Sequence, residues 1–369
     1  MKHEIGIDVR MIAHTGIGTY LRGFLGGIFQ AERNAGFDLA LFGDGGKALF
    51  GQAPVKQYPF HAPIYSVQEQ LEYPRHLARC RLWHAPHYNV PIFKGKAKLI
   101  VTIHDIIHWI FRRDYFNPLQ AFYAGVMLRT AVKKADHVIT VSHRTRDDLI
   151  EHFGASPDRI SVVYEGVDPK FFQRVSDSAR ENTLKKYGVS GKYFLYVGML
   201  KPHKGVDWLL GFFRQMRKGA KLAANLVIIG KKSKKYPPDF ETLTSLQSGG
   251  GVIYLEEVSD AELRVLYQSA LALVHPSRYE GFGLTLLEAM ASEIPVIACR
   301  VAAIPEIAGD GAYLVAPDAD GEMQTAMTRM EADPAFREEW IKRGNQRVQR
   351  FQWKETAEKT AEIYRRVLS

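Results

Sequence analysis

The chain has 369 residues, 46% of them hydrophobic and 24% charged, with a formal net charge of +9. That is length for two ordinary domains, each able to bury a core, in a balance that excludes a disordered or fibrous chain. No apolar run reaches the ~20 residues needed to span a bilayer. The opening "MKHEIGIDVRMIAHTG" reads as a strand and turn rather than a signal peptide, so a cytoplasmic protein, free or docked on the membrane from that side, is expected.

The two cysteines, Cys80 and Cys299, follow no metal-ligand spacing and define no disulfide framework. The positive excess favours anionic partners without choosing among nucleotides, nucleic acid and anionic lipid. Its residues fall in small groups: Arg75, Arg79 and Arg81; Lys94, Lys96 and Lys98; Lys231, Lys232, Lys234 and Lys235. Each group by itself reads as solvated surface.

Short apolar, β-branched runs alternate with amphipathic stretches along the chain. The strand "EIGIDV" comes first, followed by the turn "HTGIGTY" with Gly16 and Gly18, and a helix from Thr19 to Ala31. Next come the strand "KLIVTIHD", a helix from Leu119 to Val132, "HVITVS", a helix from Arg144 to Phe153, and "ISVVY". A polar segment, Pro169 to Lys192, interrupts the pattern and divides residues 1–169 from 170–352. Beyond it lie "YFLYVG", a helix from Val206 to Gln215, "NLVIIG", a helix from Asp260 to Ala270, "LALVHPS" and "IPVIA". Such alternation predicts an α/β protein of two doubly wound, Rossmann-like domains, with ligands beyond the carboxyl ends of the strands.

Chemistry concentrates in "HPSRYEGFGLTLLEAMASEIPVIA", residues 275–298. A strand, a glycine loop and a helix start form an anion site, because the first helix amides lack internal partners and the dipole is positive there. The amides of Gly281, Phe282, Gly283 and Leu284 could cradle a phosphate. Glu280 and Glu288 flank that site, and a carboxylate beside a phosphate needs donors such as sugar hydroxyls. A sugar–diphosphate–ribose ligand has this layout; two solvated glutamates on a surface loop and helix are the plainer alternative.

"EGFGLTLLEAMASEIPVIA" closely resembles the signature of the family-4 retaining glycosyltransferases, with its two glutamates separated by seven residues. "FLYVGMLKPHKGVDWLL", "VSDAELRVLYQSALALVHPS", "GIDVRMIAHTGIGTYLRGF", "VTIHDIIH", "HVITVSHRTRDDL" and "SVVYEGVDPKFF" extend the resemblance to the branch that includes bacterial mannosyltransferases. It implies a GT-B architecture, two domains facing across a cleft, with the donor held mainly by the second and the acceptor mainly by the first. "FQWKETAEKTAEIY" resembles the closing helix that crosses back, so residues 353–369 would complete the first domain.

By the resemblance, Glu280 contacts the transferred sugar, Glu288 holds the ribose, Lys204 neutralises the diphosphate and His104 lies at the transferred sugar. A solvated lysine and a structural histidine are the alternatives. Gly16 and Gly18 would admit the diphosphate or acceptor close to the backbone, unless they form a plain tight turn. Arg10 would bind donor phosphate or an acidic acceptor, or else form a structural salt bridge. Asp105 would orient acceptor hydroxyls or, the favoured reading, its own loop.

Some positions depart from the family. Met199 stands where many members carry a phosphate-binding arginine, leaving Lys201 or His203 to compensate. Glu256 and Glu257 replace a glycine and an aromatic, and Ser292-Glu293 ends the signature helix without glycine, which predicts local strain. Asp318 and Asp320 form a D-x-D spacing in "PDADGE", read here as a turn and not as a metal site.

The expected activity is therefore transfer of a hexose, mannose favoured, from GDP-mannose or another nucleotide sugar to a glycan or lipid-linked acceptor. It would proceed without a metal, a cofactor or a protein nucleophile. A nucleotide-sugar epimerase would need a different carboxylate set, and a phosphorylase a pyridoxal-phosphate lysine in a longer chain. A non-enzymatic protein of anionic surfaces is the remaining reading, although no nucleic-acid-recognition module is present. The segment 66–100 adds Arg75, Arg79, Arg81, Lys94, Lys96 and Lys98 to Leu71, Leu77, Leu82, Trp83 and Phe93. That combination predicts peripheral docking on anionic lipid, unless the apolar residues are core.

Overall fold

The computed structural model describes residues 3–35, 37–45, 55–114, 117–232, 243–244, 247, 249 and 251–369. Lys234 and Lys235 lie outside the described residues. The chain divides into two compact units, Met1–Gly166 with Phe351–Ser369, and Val167–Arg350.

The first unit is built on a seven-stranded sheet in the order β3-β2-β1-β4-β5-β6-β7. Its strands are β1 (His3–Asp8), β2 (Leu39–Phe42), β3 (Lys56–Tyr58), β4 (Cys80–Ala85), β5 (Lys98–Ile103), β6 (His137–Thr140) and β7 (Ile160–Val162). All pairs are parallel, with Ile5 beside Leu39 and Leu82, and Ile100 beside His137. The helices are α1 (Ile17–Ala35), α2 (Val67–Leu77), α3 (Ile107–Ile110), α4 (Pro118–Lys134) and α5 (His143–Phe153). Side-chain caps start three of them: Ser66 accepts from Glu69 N, Asn117 from Gln120 N and Ser142 from Thr145 N.

In the second unit α6 (Asp177–Lys186) precedes β8 (Tyr193–Val197), α7 (Val206–Lys218), β9 (Asn225–Ile229) and β10 (Val252–Leu255). Then follow α8 (Asp260–Gln268), β11 (Ala272–His275), α9 (Leu284–Ala291), β12 (Val296–Cys299), α10 (Ile304–Ala308), β13 (Tyr313–Val315), α11 (Asp320–Ala332) and α12 (Pro334–Val348). Its parallel sheet runs β10-β9-β8-β11-β12-β13. The last helix, α13 (Trp353–Leu368), belongs to the first unit. There Tyr364 OH lies 2.6 Å from His84 Nδ1, and Thr356 Oγ1 donates to Tyr164 O at 2.7 Å.

Both sheets reverse their strand order once, at β1/β4 and at β8/β11. Parallel strands covered on both faces favour apolar residues, and the interiors of β5, β6, β11 and β12 are mostly apolar, with polar residues such as Lys98, His137, Thr140 and His275 at strand ends. Polar chemistry is thereby pushed to the loops at the strand ends, and the switch points are where those loops diverge to admit a ligand. The strands β2, β3, β4, β10 and β13 are not among the runs marked in the sequence; β3 and β13 have only three residues each. In β4, "CRLWHA", an arginine and a histidine break the pattern, yet five of its six residues are buried.

Leu77, Leu82 and Trp83 are core residues, at most 3% exposed, so they do not form a surface patch. Arg79 stacks 4.7 Å from the centroid of the Tyr58 ring, and Arg81 reaches Glu4 at 3.4 Å. The basic apolar face expected from segment 66–100 is therefore not formed by that set. Glu293, at the end of α9, takes a positive φ of 60°. A non-glycine residue there carries strain of about 1–2 kcal/mol, as the missing glycine predicts.

Candidate active site

The loops after β8 and β11 meet at the second unit's switch point. Gly205, at φ 70°, ends the turn that carries Lys204, and a Cβ there would lie 2.1 Å from Pro276 O. Only glycine permits this approach, which sets Lys204 against the loop from Pro276 to Gly283. Lys204 Nζ donates to Glu280 at 2.6 Å (Oε1) and 2.8 Å (Oε2). Ser277 Oγ donates to Oε1 at 2.6 Å, and His275 Nε2 lies 3.1 Å from the same oxygen.

Glu280 is buried. Burial by itself would raise its pKa, but the Lys204 charge, with His275, outweighs that and holds the carboxyl well below the usual range. Just beyond it, Gly283 (φ 109°, ψ 51°) opens α9, and no side chain caps that end. Gly281, Phe282 and Gly283 are buried, and Leu284 is half-buried at the first position of the helix. The expected cradle is thus a buried loop leading into an uncapped helix start.

Glu288 lies one turn further along α9 and accepts from Tyr267 OH at 2.9 Å. It is partly open to solvent yet crowded by protein. Burial pushes its carboxyl up to about 7, against the pull of the Tyr267 hydroxyl and Lys170, with Asp168 and Asp260 adding repulsion. Two carboxylates on one loop and helix thus hold opposite protonation tendencies, set by a lysine at one and burial at the other.

At the position of the missing arginine, Met199 and Lys201 are half-buried, whereas His203 is buried. Of the two proposed replacements, Lys201 has the more open side chain. Asp318 accepts from Arg278 at 3.0 Å and Asp320 from Trp208 Nε1 at 3.0 Å. Asp318 lies in the turn with φ 55°, and Asp320 begins α11.

In the first unit His104 follows β5. Its Nδ1 lies 2.8 Å from Glu165 Oε1 and its Nε2 3.0 Å from Pro86 O. The ring packs edge-on to Tyr20, with centroids 4.8 Å apart. Both nitrogens thus face oxygen acceptors, and any contact with a sugar hydroxyl has to replace one of them. Asp105 Oδ1 accepts from Ile107 N at 2.9 Å, so it braces its own loop as the plainer reading had it.

Arg10 turns inward, the salt-bridge alternative, instead of facing an anion. It bonds Asp8 at 2.5 Å, Glu69 at 2.6 Å, Tyr73 OH at 3.1 Å and Ala62 O at 3.1 Å, over the Phe60 ring at 3.6 Å. Burial by itself would lower its pKa, but the paired carboxylates hold it well above the ordinary value. Gly16 (φ 73°) precedes α1 and Gly18 lies in its first turn, where Gly18 N donates to His14 O at 3.1 Å. They form the tight turn at the end of the β1 loop.

Sequence reasoning passed over Ser277, His275, Tyr267 and Glu165. Ser277 and His275 stand within the motif itself, and their place at a strand end just before Glu280 is a readable signal. Glu165 had a weaker one, a carboxylate between an apolar strand and a glycine. Tyr267 had none, because a helical tyrosine reads as core.

A doubly wound pair of units, with a lysine–glutamate pair and an uncapped helix start at one switch point, defines a nucleotide-sugar-dependent glycosyltransferase of the GT-B class. A family model described as "Glycosyl transferases group 1" matches residues 180–347, and one described as "Glycosyltransferase Family 4" matches residues 30–171. O-antigen chain mannosyltransferase RfbU of Salmonella typhimurium is 31% identical, over 72% of this chain and 68% of the relative. O-antigen chain mannosyltransferase B of Escherichia coli is 27% identical, over 77% and 74%. Among solved structures, a glycosyltransferase from Rickettsia africae superposes with a TM-score of 0.76 at 18% identity, covering 100% of this chain and 99% of that one. Anabaena HepE in complex with UDP and glucose gives 0.76 at 18%, covering 99% and 100%. The chain belongs to glycosyltransferase family 4.

Proposed function

We propose that the protein is a retaining, metal-independent hexosyltransferase that moves mannose from GDP-mannose to a saccharide or lipid-linked acceptor. The acceptor would belong to a bacterial surface polysaccharide or glycolipid, presented at the inner face of the membrane. The observation that carries the reading is the Lys204–Glu280 pair beside the start of α9, with Glu288 one turn along the same helix. The relatives named as O-antigen mannosyltransferases support mannose.

Lys204 exchanges Glu280 for the diphosphate, whose negative charge grows as the glycosidic bond breaks. Glu280, still held by Ser277, then accepts a hydroxyl of the transferred sugar. Glu288 and Tyr267 take the ribose, and His104 with Glu165 is the first unit's contact for the sugar. The acceptor oxygen attacks the anomeric carbon on the face the leaving phosphate departs. That phosphate oxygen receives the acceptor proton, so no protein nucleophile is needed. Helix amides and Lys204 supply the positive charge that a metal supplies elsewhere.

The test is a thermal-shift screen over nucleotide diphosphates and nucleotide sugars, followed by transfer with and without EDTA. A ligand at 100 times its dissociation constant adds about 2.7 kcal/mol of stability. GDP and GDP-mannose are expected to stabilise the protein, and transfer is expected to survive chelation. Loss of transfer in EDTA with rescue by magnesium or manganese overturns the metal-independent reading, and an epimerised sugar with no glycoside overturns the transferase.

A further inference from the structure

Among the described residues Tyr65 is the only aromatic at positive φ, at 68°. A bulky side chain costs free energy in that region, and such strain persists only where the surroundings enforce it. Here a buried carboxylate does so. Tyr65 N donates to Glu69 Oε2 at 3.0 Å, and Asn89 Nδ2 donates to the same oxygen at 2.6 Å. The other oxygen of Glu69, which is fully buried, takes Arg10 at 2.6 Å. The charge-assisted bond to the Tyr65 amide offsets the strain and fixes where the ring stands.

A ring placed at that cost is nevertheless left 47% exposed, so the fold does not use it as core. Its neighbours are aromatic: His87, with centroids 5.9 Å apart, and Tyr123 at 6.0 Å. Tyr123 OH donates to Asn89 Oδ1 at 2.5 Å, which ties the second ring to the same buried network. Tyr65 lies in the loop after β3, His87 in the loop after β4 and His104 in the loop after β5, so all three stand at the carboxyl edge of the first sheet. His104 Nε2 lies 3.0 Å from Pro86 O, one residue before His87. Asn89 N donates to His87 Nδ1 at 3.3 Å, which leaves the proton of the neutral ring on Nε2.

The charge of this corner selects what it can hold. Burial, with His104, His108 and His14 adding repulsion, keeps the His87 ring well below its ordinary pKa, so it carries no charge at neutral pH. Arg10 points inward to Asp8 and Glu69. Among the described residues, those that touch Tyr65 are Glu69, His87 and Tyr123, and none brings a positive charge. A phosphate would find no counter-charge there. A pyranose ring suits the place, because one of its faces is a patch of C–H bonds that lies on an aromatic ring while its edge offers hydroxyls. We propose that Tyr65 is the stacking platform of an acceptor subsite for a neutral sugar ring, with His87 Nε2 donating to a hydroxyl at the edge of that ring. Its purpose rests on the proposed transferase reading: the sugar on Tyr65 is the acceptor's, held beside His104. The acceptor is thereby recognised at this subsite through a neutral saccharide and not through a phosphate.

The test is saturation-transfer NMR on the full chain, with and without GDP. Methyl α-mannoside and methyl α-glucoside are the neutral probes, and mannose and glucose phosphates the charged ones. Wild type is expected to bind a neutral glycoside, with saturation reaching its ring C–H protons, and to bind the phosphates no better. Tyr65→Phe keeps the platform and should match wild type. Tyr65→Gly removes it and should weaken glycoside binding about tenfold or more, while nucleotide affinity stays within about threefold. Glycine takes a φ of 68° without strain, so this variant should melt no lower than wild type. The proposal is overturned by absence of glycoside binding in wild type, by equal binding in Tyr65→Gly, by loss in Tyr65→Phe or by tighter binding of the phosphates. A Tyr65→Gly chain that melts well below wild type makes the ring a packing element and overturns it too. Glycoside binding that depends on Tyr65, without any nucleotide-sugar response, keeps the subsite and overturns the transferase reading; a nucleotide-sugar response without glycoside binding does the opposite.

Discussion

Each unit places a cation in the loop after the strand at its sheet's switch point, and the two use it differently. After β1, Arg10 is 7% exposed and locked between Asp8 and Glu69, with the Phe60 ring beneath it. After β8, Lys204 is 23% exposed and bonded to Glu280, in the loop that leads into the uncapped α9. A guanidinium with its donors spent in a buried fork cannot be exchanged, whereas a flexible ammonium at the rim can trade one anion for another. A cation in the switch-point loop thus braces that loop in one unit and prepares an anion site in the other.

The sharpest break in this comparison is Arg10→Met. It leaves Asp8 and Glu69 without a counter-charge in the interior and is expected to cost about 3–5 kcal/mol in urea unfolding, with nucleotide affinity unchanged. A loss under about 1 kcal/mol would class it with surface pairs. Lys204→Ala also strips a buried carboxylate, Glu280, of its counter-charge and should cost stability too; what tells it apart is transfer, reduced a hundredfold or more, about 2.7 kcal/mol.

Glu288→Ala removes the proposed ribose contact and should weaken nucleotide binding by about 2–4 kcal/mol, read by calorimetry. An unchanged dissociation constant would end that role. His104→Ala should lower turnover roughly ten- to a hundredfold while nucleotide affinity stays within about threefold. Glu165→Gln should reproduce part of that fall in turnover while nucleotide affinity again stays within about threefold. Near wild-type turnover in His104→Ala returns the histidine to a structural role.

The remaining effects concern pH dependence and backbone strain. The Glu288 carboxyl, raised from 4.5 to about 7 by burial, keeps its proton in the folded chain while the unfolded chain has lost it. Stability from this group is therefore greatest below 4.5 and falls as pH rises to about 7. Glu288→Gln should flatten that slope, and equal slopes for variant and wild type would contradict the shift. Glu293→Gly, at φ 60°, should stabilise by about 1 kcal/mol, measured by the denaturation midpoint.

The sequence by itself determined the alternation of strands and helices, the parallel sheets and the motif that places Glu280, Glu288 and the α9 start in one segment. These are local: burial on both faces demands continuous apolar runs, and a helix start creates its own anion site. Short strands such as β3 and β13 escaped because three residues carry no period. Tertiary structure alone decided the partners. It turned Arg10 inward to Glu69, 59 residues away, set Glu165 on His104, 61 residues away, and laid Lys204 across Glu280, 76 residues away. It also decided that Trp83 is core while Phe93 and Phe122 face outward. A residue's type sets which bonds and burial it can support; only the packed chain decides which acceptor or apolar neighbour comes within reach.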